Sequence, residues 1–327
     1  VRKRYLDYIL AIIIILSLNF FLPRLMPGDP LTAIYGDALL EMSPQLEAQL
    51  VERYGLDKSM GEQFIVYLGN LLRGDLGYSY YFNAPVTEVL LEALPWTLLL
   101  VGVSLVLSTI IGILIGIESG WRHGSRLDSL LLISIMFLNG IPSFFLGILF
   151  LIFFSFEWQL FPLSGAVTPF SDYTGLALFW DIARHMFLPV LTLTLMQVPR
   201  NYMLMRNSII SVIREPYILT AQGKGLKEGI IRYRHAARGA LLPVITRLGM
   251  SIGLMFTGVL FIEIVFAYPG TGHLFYQALQ NMDFPVVQGS LFFITVFVLL
   301  ANFLTDLFII KIEPRLREDA YQLLDRT

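Results

Sequence analysis

Few side chains in this sequence are of a type and spacing that could carry out chemistry. Four histidines occur, His123, His185, His235 and His273, and no two stand four residues apart. No HExxH segment is present, so the two-histidine helix face of a zinc protease is missing. The chain has no cysteine, which removes thiolate metal sites, disulfides and cysteine nucleophiles. No Gly-x-Ser-x-Gly elbow exists, and an intramembrane serine protease would have only His185 to draw on, better read as an interfacial histidine. The "GKG" at Gly223–Gly225 does not continue into a phosphate loop, because Lys224 is followed by glycine where a magnesium-binding hydroxyl is required. The chain is therefore expected to be neither an enzyme nor a holder of metal or cofactor.

What remains is a set of polar groups inside apolar runs, and such groups are costly in hydrocarbon and functional by default. Asn139 precedes Pro142, Gln197 stands near Arg200 and Arg206, and Asn302 and Asp306 lie one helical turn apart. Only Asp306 and Glu263 could serve a proton relay, and both sit near segment ends, so helix–helix bonding is the better reading. Gly249, Ser251, Gly253, Thr257 and Gly258 suit close helix packing or a water-facing wall. Asn139, Gln197, Ser251 and Thr257 are the candidates for lining a pathway.

The elements that must position these groups follow from composition. The 327 residues are 56% hydrophobic and only 15% charged, with a net charge of −2 and a mean hydropathy of +0.68. Soluble domains carry about a quarter charged residues, so the class is an all-α integral membrane protein, and the charge balance gives no sign of nucleic acid binding. Uncharged runs cover Tyr8–Pro23, Ala93–Ile117, Ser129–Phe156, Met186–Pro199, Leu248–Ile262 and Phe284–Thr305. A span takes about 20 residues; the fourth and fifth runs fall short and borrow flanks that snorkel at Arg206 and Glu263. The first run follows Arg2, Lys3 and Arg4 and meets "LPRLMPGDP" rather than a cleavage site, so it is read as an uncleaved helix. With both termini inside, 18 basic residues face the cytoplasm and five face out, as the positive-inside rule requires.

Two segments interrupt the alternation of spans and loops. Pro27–Leu94 carries ten acids and three bases and contains two short amphipathic stretches. One starts at Ser43-Pro44 and stops at Gly55; the other opens with Ser59 and Glu62 at capping-box spacing. Leu46, Leu50, Tyr54, Phe64, Leu68, Leu71 and Leu72 give these helices apolar faces, which describes a folded outer cap. The second interruption, Arg214–Arg247, has seven bases and two acids. Its "REPYILTAQGKGLKEG" reads as a short helix entered through Pro216 and released by Gly223 or Gly225. The chain thus divides into 1–94 (first span plus cap), 95–312 (a core of five spans, with the inner loop at about 210–243) and a tail at 313–327.

"LTAQGKGLKEGIIRYRHAARGALLPVIT" resembles the cytoplasmic coupling loop of ATP-binding-cassette importer permeases, in the form of the dipeptide/oligopeptide/nickel branch. Gly225 matches the signature glycine, and Thr220-Ala221, Lys224-Gly225-Leu226 and His235-Ala236 match the branch form. Leu219 stands where the general motif has glutamate, and Pro243 follows at a longer interval than in sugar or amino-acid relatives. "MPGDP", "LLRGDLGYS", "LPWTLLL", "FPLSG", "RHMFLPVLTL", "FAYPGTGHL" and "EPRLRE" extend the likeness to the B-type permease over nearly the whole chain. The resemblance implies a type I importer in the prokaryotic cytoplasmic membrane. Its partners would be a second homologous permease, two cytoplasmic ATPases that bind ATP and magnesium, an extracytoplasmic binding protein, and membrane lipid. The implied cargo is di- or oligopeptide, with oligosaccharide or nickel as alternatives; a gated channel or intramembrane protease would be rivals of another class. Tyr217, Thr220, Ala221, Gly223, Lys224, Gly225, Leu226, Lys227 and Glu228 would form the contact with the ATPase. In that expectation the small residues permit close approach, and Lys224, Lys227 and Glu228 fix registry by charge.

Overall fold

The computed structural model describes residues 2–25, 36, 43–53 and 57–312. Helices dominate: α1 Arg2–Arg24, α2 Pro44–Arg53, α3 Met60–Leu72, α4 Val86–Trp121, α5 Arg126–Asn139, α6 Ser143–Phe150, α7 Gly175–Val212, α8 Pro216–Gly223, α9 Ala237–Val265, α10 Thr271–Gln280 and α11 Phe284–Ile312. A two-residue hairpin, β1 Tyr78–Ser79 with β2 Ala84–Pro85, precedes α4. Contacts group the chain into two compact units, one of Val1–Pro95 and Gly270–Phe297, the other of Trp96–Pro269 and Val298–Glu318.

By length and hydropathy, α4 and α7 can each cross a membrane alone. The expected third span, Ser129–Phe156, is not one straight helix. Here α5 and the stretch Ser143–Glu157 meet at 94°, because Gly140 ends α5 and Pro142, which has no N–H to continue a helical ladder, caps α6. From Leu151 the helix widens to π geometry. Shorter apolar stretches lie at Ile12–Phe21 and Phe284–Leu300. The expected fifth span falls within α9, where the side chains of 246–254, 256 and 257 lie outside the described residues.

In the second unit, α4 and α7 touch along a glycine stripe. A Cβ on Gly112 would stand 2.5 Å from the Asn201 Cβ; on Gly116, 2.7 Å from the Met205 Cβ; on Gly120, 2.7 Å from the Arg206 carbonyl oxygen. Glycine every fourth residue is what brings the two backbones this close. Of the small residues of α9 that suit close packing or a water-facing wall, Gly258 stands where a Cβ meets nothing within 4 Å, and Gly249, Ser251, Gly253 and Thr257 lie outside the side chains described. Helix–helix bonding by buried polar groups is present as expected. Glu263, fully buried on α9, accepts the Thr97 hydroxyl of α4 at 2.6 Å.

The first unit is pinned by Asp283, itself buried. Its Oδ2 accepts the Ser79 hydroxyl at 2.5 Å and the Tyr81 amide at 3.1 Å, while Oδ1 accepts the Val286 amide at the start of α11. One carboxylate thus closes the hairpin and caps a helix. Val86, Leu90, Leu274, Ala278 and Val286 form an apolar core in the same unit. In α3 the capping box forms as its spacing requires, with Ser59 and Glu62 satisfying each other's amides. Leu72, assigned to the apolar face, is instead 90% exposed; Phe64, Leu68 and Leu71 are half-buried. Leu50 and Tyr54 lie outside the side chains described.

Candidate coupling surface

The short helix α8 starts with Pro216 at its first position, where the missing N–H costs nothing. It ends in a Schellman motif: the Gly225 amide donates to the Gln222 carbonyl at 2.9 Å and the Leu226 amide to the Ala221 carbonyl at 3.4 Å. That closure places Gly225 at φ +69°, a left-handed conformation in which a Cβ is strained. Within the chain, a Cβ there would meet no atom within 4 Å. The signature glycine therefore sets the backbone path and leaves its outer side open.

The faces of α8 divide sharply. Ile218 and Ala221 are buried against Ile117, Met205, Ile209, Ile231 and Ala240 of the second unit's core. Ala221 was expected among the small residues facing an ATPase; its smallness instead serves packing inside the chain. Tyr217, Leu219, Thr220, Gly223, Lys224, Leu226 and Lys227 are exposed, Leu219 at 59%. The Tyr217 ring lies against Gly239, whose lack of a side chain makes room for the hydroxyl. Thr220 turns its hydroxyl back onto the Pro216 carbonyl at 3.0 Å.

Glu228 has partners in its own chain. The Trp121 indole N–H donates to it at 2.5 Å, and Arg232 Nη2 donates to the same oxygen at 2.5 Å. Arg232 Nη1 also reaches both oxygens of Glu118, at 2.7 and 2.8 Å, and Tyr233 donates its hydroxyl to Glu118. The indole N–H, then the guanidinium, hold the Glu228 carboxyl below the usual carboxylate range. Arg232, buried despite its charge, thus ties the loop after α8 to the end of α4 by a fork that only arginine can make.

A second buried pair sits nearby and was not legible from the sequence. Arg206 of α7 grips Asp128 of α5 through Nε (2.7 Å) and Nη2 (2.8 Å). Asp128 also accepts the Ser119 hydroxyl at 2.5 Å and the Gly124 amide at 3.0 Å, and Ser119 meets the Tyr202 hydroxyl at 2.7 Å. His123 Nδ1 stands 3.0 Å from Asp128. Three helices, α4, α5 and α7, are therefore joined through one carboxylate.

Two of the four pathway candidates have side chains among those described. Asn139 is exposed at the end of α5 and Gln197 is half-buried on α7. The side chains of Ser251 and Thr257 fall outside those described. No group of metal-ligating side chains occurs among the described residues.

The described residues form a mostly helical chain in which α4 and α7 are long and apolar enough to cross a membrane. Residues 108–318 match the family of binding-protein-dependent transport system inner membrane components, and the chain belongs to that family. It is an inner-membrane transport component of an ATP-binding-cassette importer rather than an enzyme. It is 32% identical over 317 residues to the dipeptide transport system permease protein DppB of Escherichia coli K12, covering 92% of this chain and 93% of that one. To the di/tripeptide transport system permease protein DppB of Pseudomonas aeruginosa it is 31% identical over 314 residues, with the same coverage. The fold is similar to a solved chain of the MetNI methionine ABC transporter in inward-facing form, with a TM-score of 0.55 at 16% identity, over 69% of this chain and 97% of that one.

Proposed function

We propose that this chain forms half of the translocation pathway of a peptide importer and passes ATPase movement to it through α8. Six spans with both termini inside place α8 in the cytoplasm and the segment from α2 to the hairpin outside. A second homologous permease completes the pathway, two ATPases seat on the paired inner loops, and a binding protein delivers cargo to the outer cap. Peptide is favoured over oligosaccharide or nickel because the relatives at this identity are peptide permeases by name.

The observation that carries the reading is the two-faced α8. Its inner face is part of the core and its next turn is clasped by Arg232, while its outer face offers Leu219, Lys224 and Leu226. A push on such a helix moves the helices it is joined to, as packed elements shift as bodies rather than deform.

Gly225 supplies the test. Asparagine tolerates φ near +60° and a β-branched residue does not. If only the backbone turn mattered, Gly225→Asn would couple normally and Gly225→Val would fail. If a partner also packs against the open side, both fail, with insertion and abundance unchanged. The measurement is stimulation of ATP hydrolysis by loaded binding protein in the assembled complex. Normal coupling in Gly225→Val would remove α8 from the mechanism.

A further inference from the structure

The first unit holds a cavity of about 230 Å³ between the end of α1, the α3 helix, the segment Asp75–Tyr80 and the start of α11. Since liquid water occupies about 30 Å³ per molecule, the space would take a small polar headgroup. Its lining combines two cations, Arg24 and Lys58, with the amides of Gln63, Asn70 and Gln288 and one carboxylate, Asp75.

Two groups in this wall are incompletely used. Arg24 donates Nε to Gln63 at 3.2 Å and Nη1 to the Phe20 carbonyl at 3.0 Å, both neutral acceptors. Its guanidinium lies 3.7 Å over the Phe20 ring, which fixes the plane. No carboxylate pairs with it among the described residues, and the Nη2 donors have no partner there. The Tyr67 hydroxyl is buried and likewise has no partner among the described residues. Asp75 is already engaged by the Gly77 amide at 2.8 Å. An immobilised guanidinium fork beside an unmatched hydroxyl is a site for an anionic oxygen group.

The surface leading to the cavity identifies what carries that group. Ile14, Leu18, Phe21 and Leu25 are exposed in a row along one face of α1, and the row ends beside Arg24. We propose that the cavity binds the phosphodiester headgroup of an outer-leaflet phospholipid, with Arg24 and Tyr67 on the phosphate, Lys58 at the rim and an acyl chain along the α1 row. The lipid would tie the end of the first span to the cap helix α3. The outward position of Arg24 rests on the proposed topology.

Native mass spectrometry of the delipidated full chain tests the site. The probes are dioleoyl-phosphatidylglycerol, dioleoylglycerol, glycerol 3-phosphate and trialanine. The phospholipid should be retained. Dioleoylglycerol should not bind, and glycerol 3-phosphate should compete only weakly, because it lacks the chains. Arg24→Gln should weaken retention about tenfold and Tyr67→Phe about threefold, as for one charge-assisted and one neutral hydrogen bond. Should Arg24→Gln misfold, Tyr67→Phe and Lys58→Gln decide. Equal binding of dioleoylglycerol, displacement by trialanine, or wild-type retention in the folded variants would overturn the proposal. Labelling of Lys58→Cys in intact cells by an impermeant maleimide checks the topology separately, since the chain has no other cysteine.

Discussion

Two short helices, α3 in the first unit and α8 in the second, have similar punctuation and opposite fates. Each opens on a defined N-terminal signal, the Ser59–Glu62 box in one and Pro216 in the other. Yet α8, with eight residues, buries Ile218 and Ala221, whereas α3, with thirteen, buries none. Ile65 is 70% exposed and Leu72 90%. Beyond α8 the chain is clasped by charged forks, while α3 is held by its own cap, by half-buried aromatic rings such as Phe64 against Phe20, and by Arg24 on Gln63. Helix α8 is packed into the core of its own unit, and α3 leaves apolar area uncovered. That contrast matches what each is proposed to do: transmit a movement, or receive a partner.

The largest effect should come from separating the helices on which α8 rests. A leucine at Gly116 would drive into Met205 and the Tyr202 carbonyl, both within 3 Å of its Cβ. Overpacking of this kind costs about 1–3 kcal/mol or more, and here it acts on a whole helix pair. Gly116→Leu is expected to lower the thermal midpoint in detergent and the membrane yield together. Gly69→Leu on α3, where a Cβ meets nothing, should change neither. Equal losses would erase the distinction between the two helices.

Next in size is Arg232→Gln. The amide cannot span Glu118 and Glu228 at once, so two carboxylates lose their shared cation. The chain should still insert, but stimulation of the ATPases by loaded binding protein should fall at least about tenfold, as expected when a positioned element slips by an ångström. Full stimulation would mean that α8 couples without the clasp.

The exposed side of α3 should respond more narrowly. Ile65→Asp and Leu72→Asp alter exposed positions and leave the fold intact, since such sites shift stability by about 0.5 kcal/mol or less. If the binding protein covers this face, uptake at limiting substrate should drop several-fold while basal ATP hydrolysis stays constant. Unchanged uptake would make α3 a packing element whose exposed side is idle.

What could be read in advance was local. The capping box, the proline entry to α8 and its glycine exit are encoded within a few residues, and each formed. The roles of the loop's charged residues were not legible, because the partners of Glu228 and Arg232, Trp121 and Glu118, lie more than a hundred positions away. Asp128 and Arg206 stand 78 residues apart, and nothing in either neighbourhood marks them as a pair. The 112-116-120 glycine spacing stands in the sequence, but the small residues at 249–258 offer a similar signature, so spacing alone does not say which of them brings two backbones together. The bend at Gly140–Pro142 was hidden inside a continuous apolar run, where hydropathy counts residues and ignores the missing N–H.

The smallest expected effect is a titration. Trp121 and Arg232 both favour the charged form of Glu228, so it loses its proton at lower pH in the fold than in the unfolded chain. Its contribution to the clasp is therefore fully present above the unfolded carboxylate value and is lost as pH falls through the lower, folded one. Between neutral pH and pH 5 the Trp121 environment should stay constant, and only more acid conditions should release the indole. The measurement is Trp121 emission in a variant with Trp96, Trp158 and Trp180 replaced by phenylalanine. Glu228→Gln should remove the transition while leaving α8 folded, since Ile218 and Ala221 still pack below it. An emission change centred at or above the ordinary carboxylate range would show that the indole and the arginine do not hold this carboxylate. Helix α8 would then be anchored by its apolar face alone.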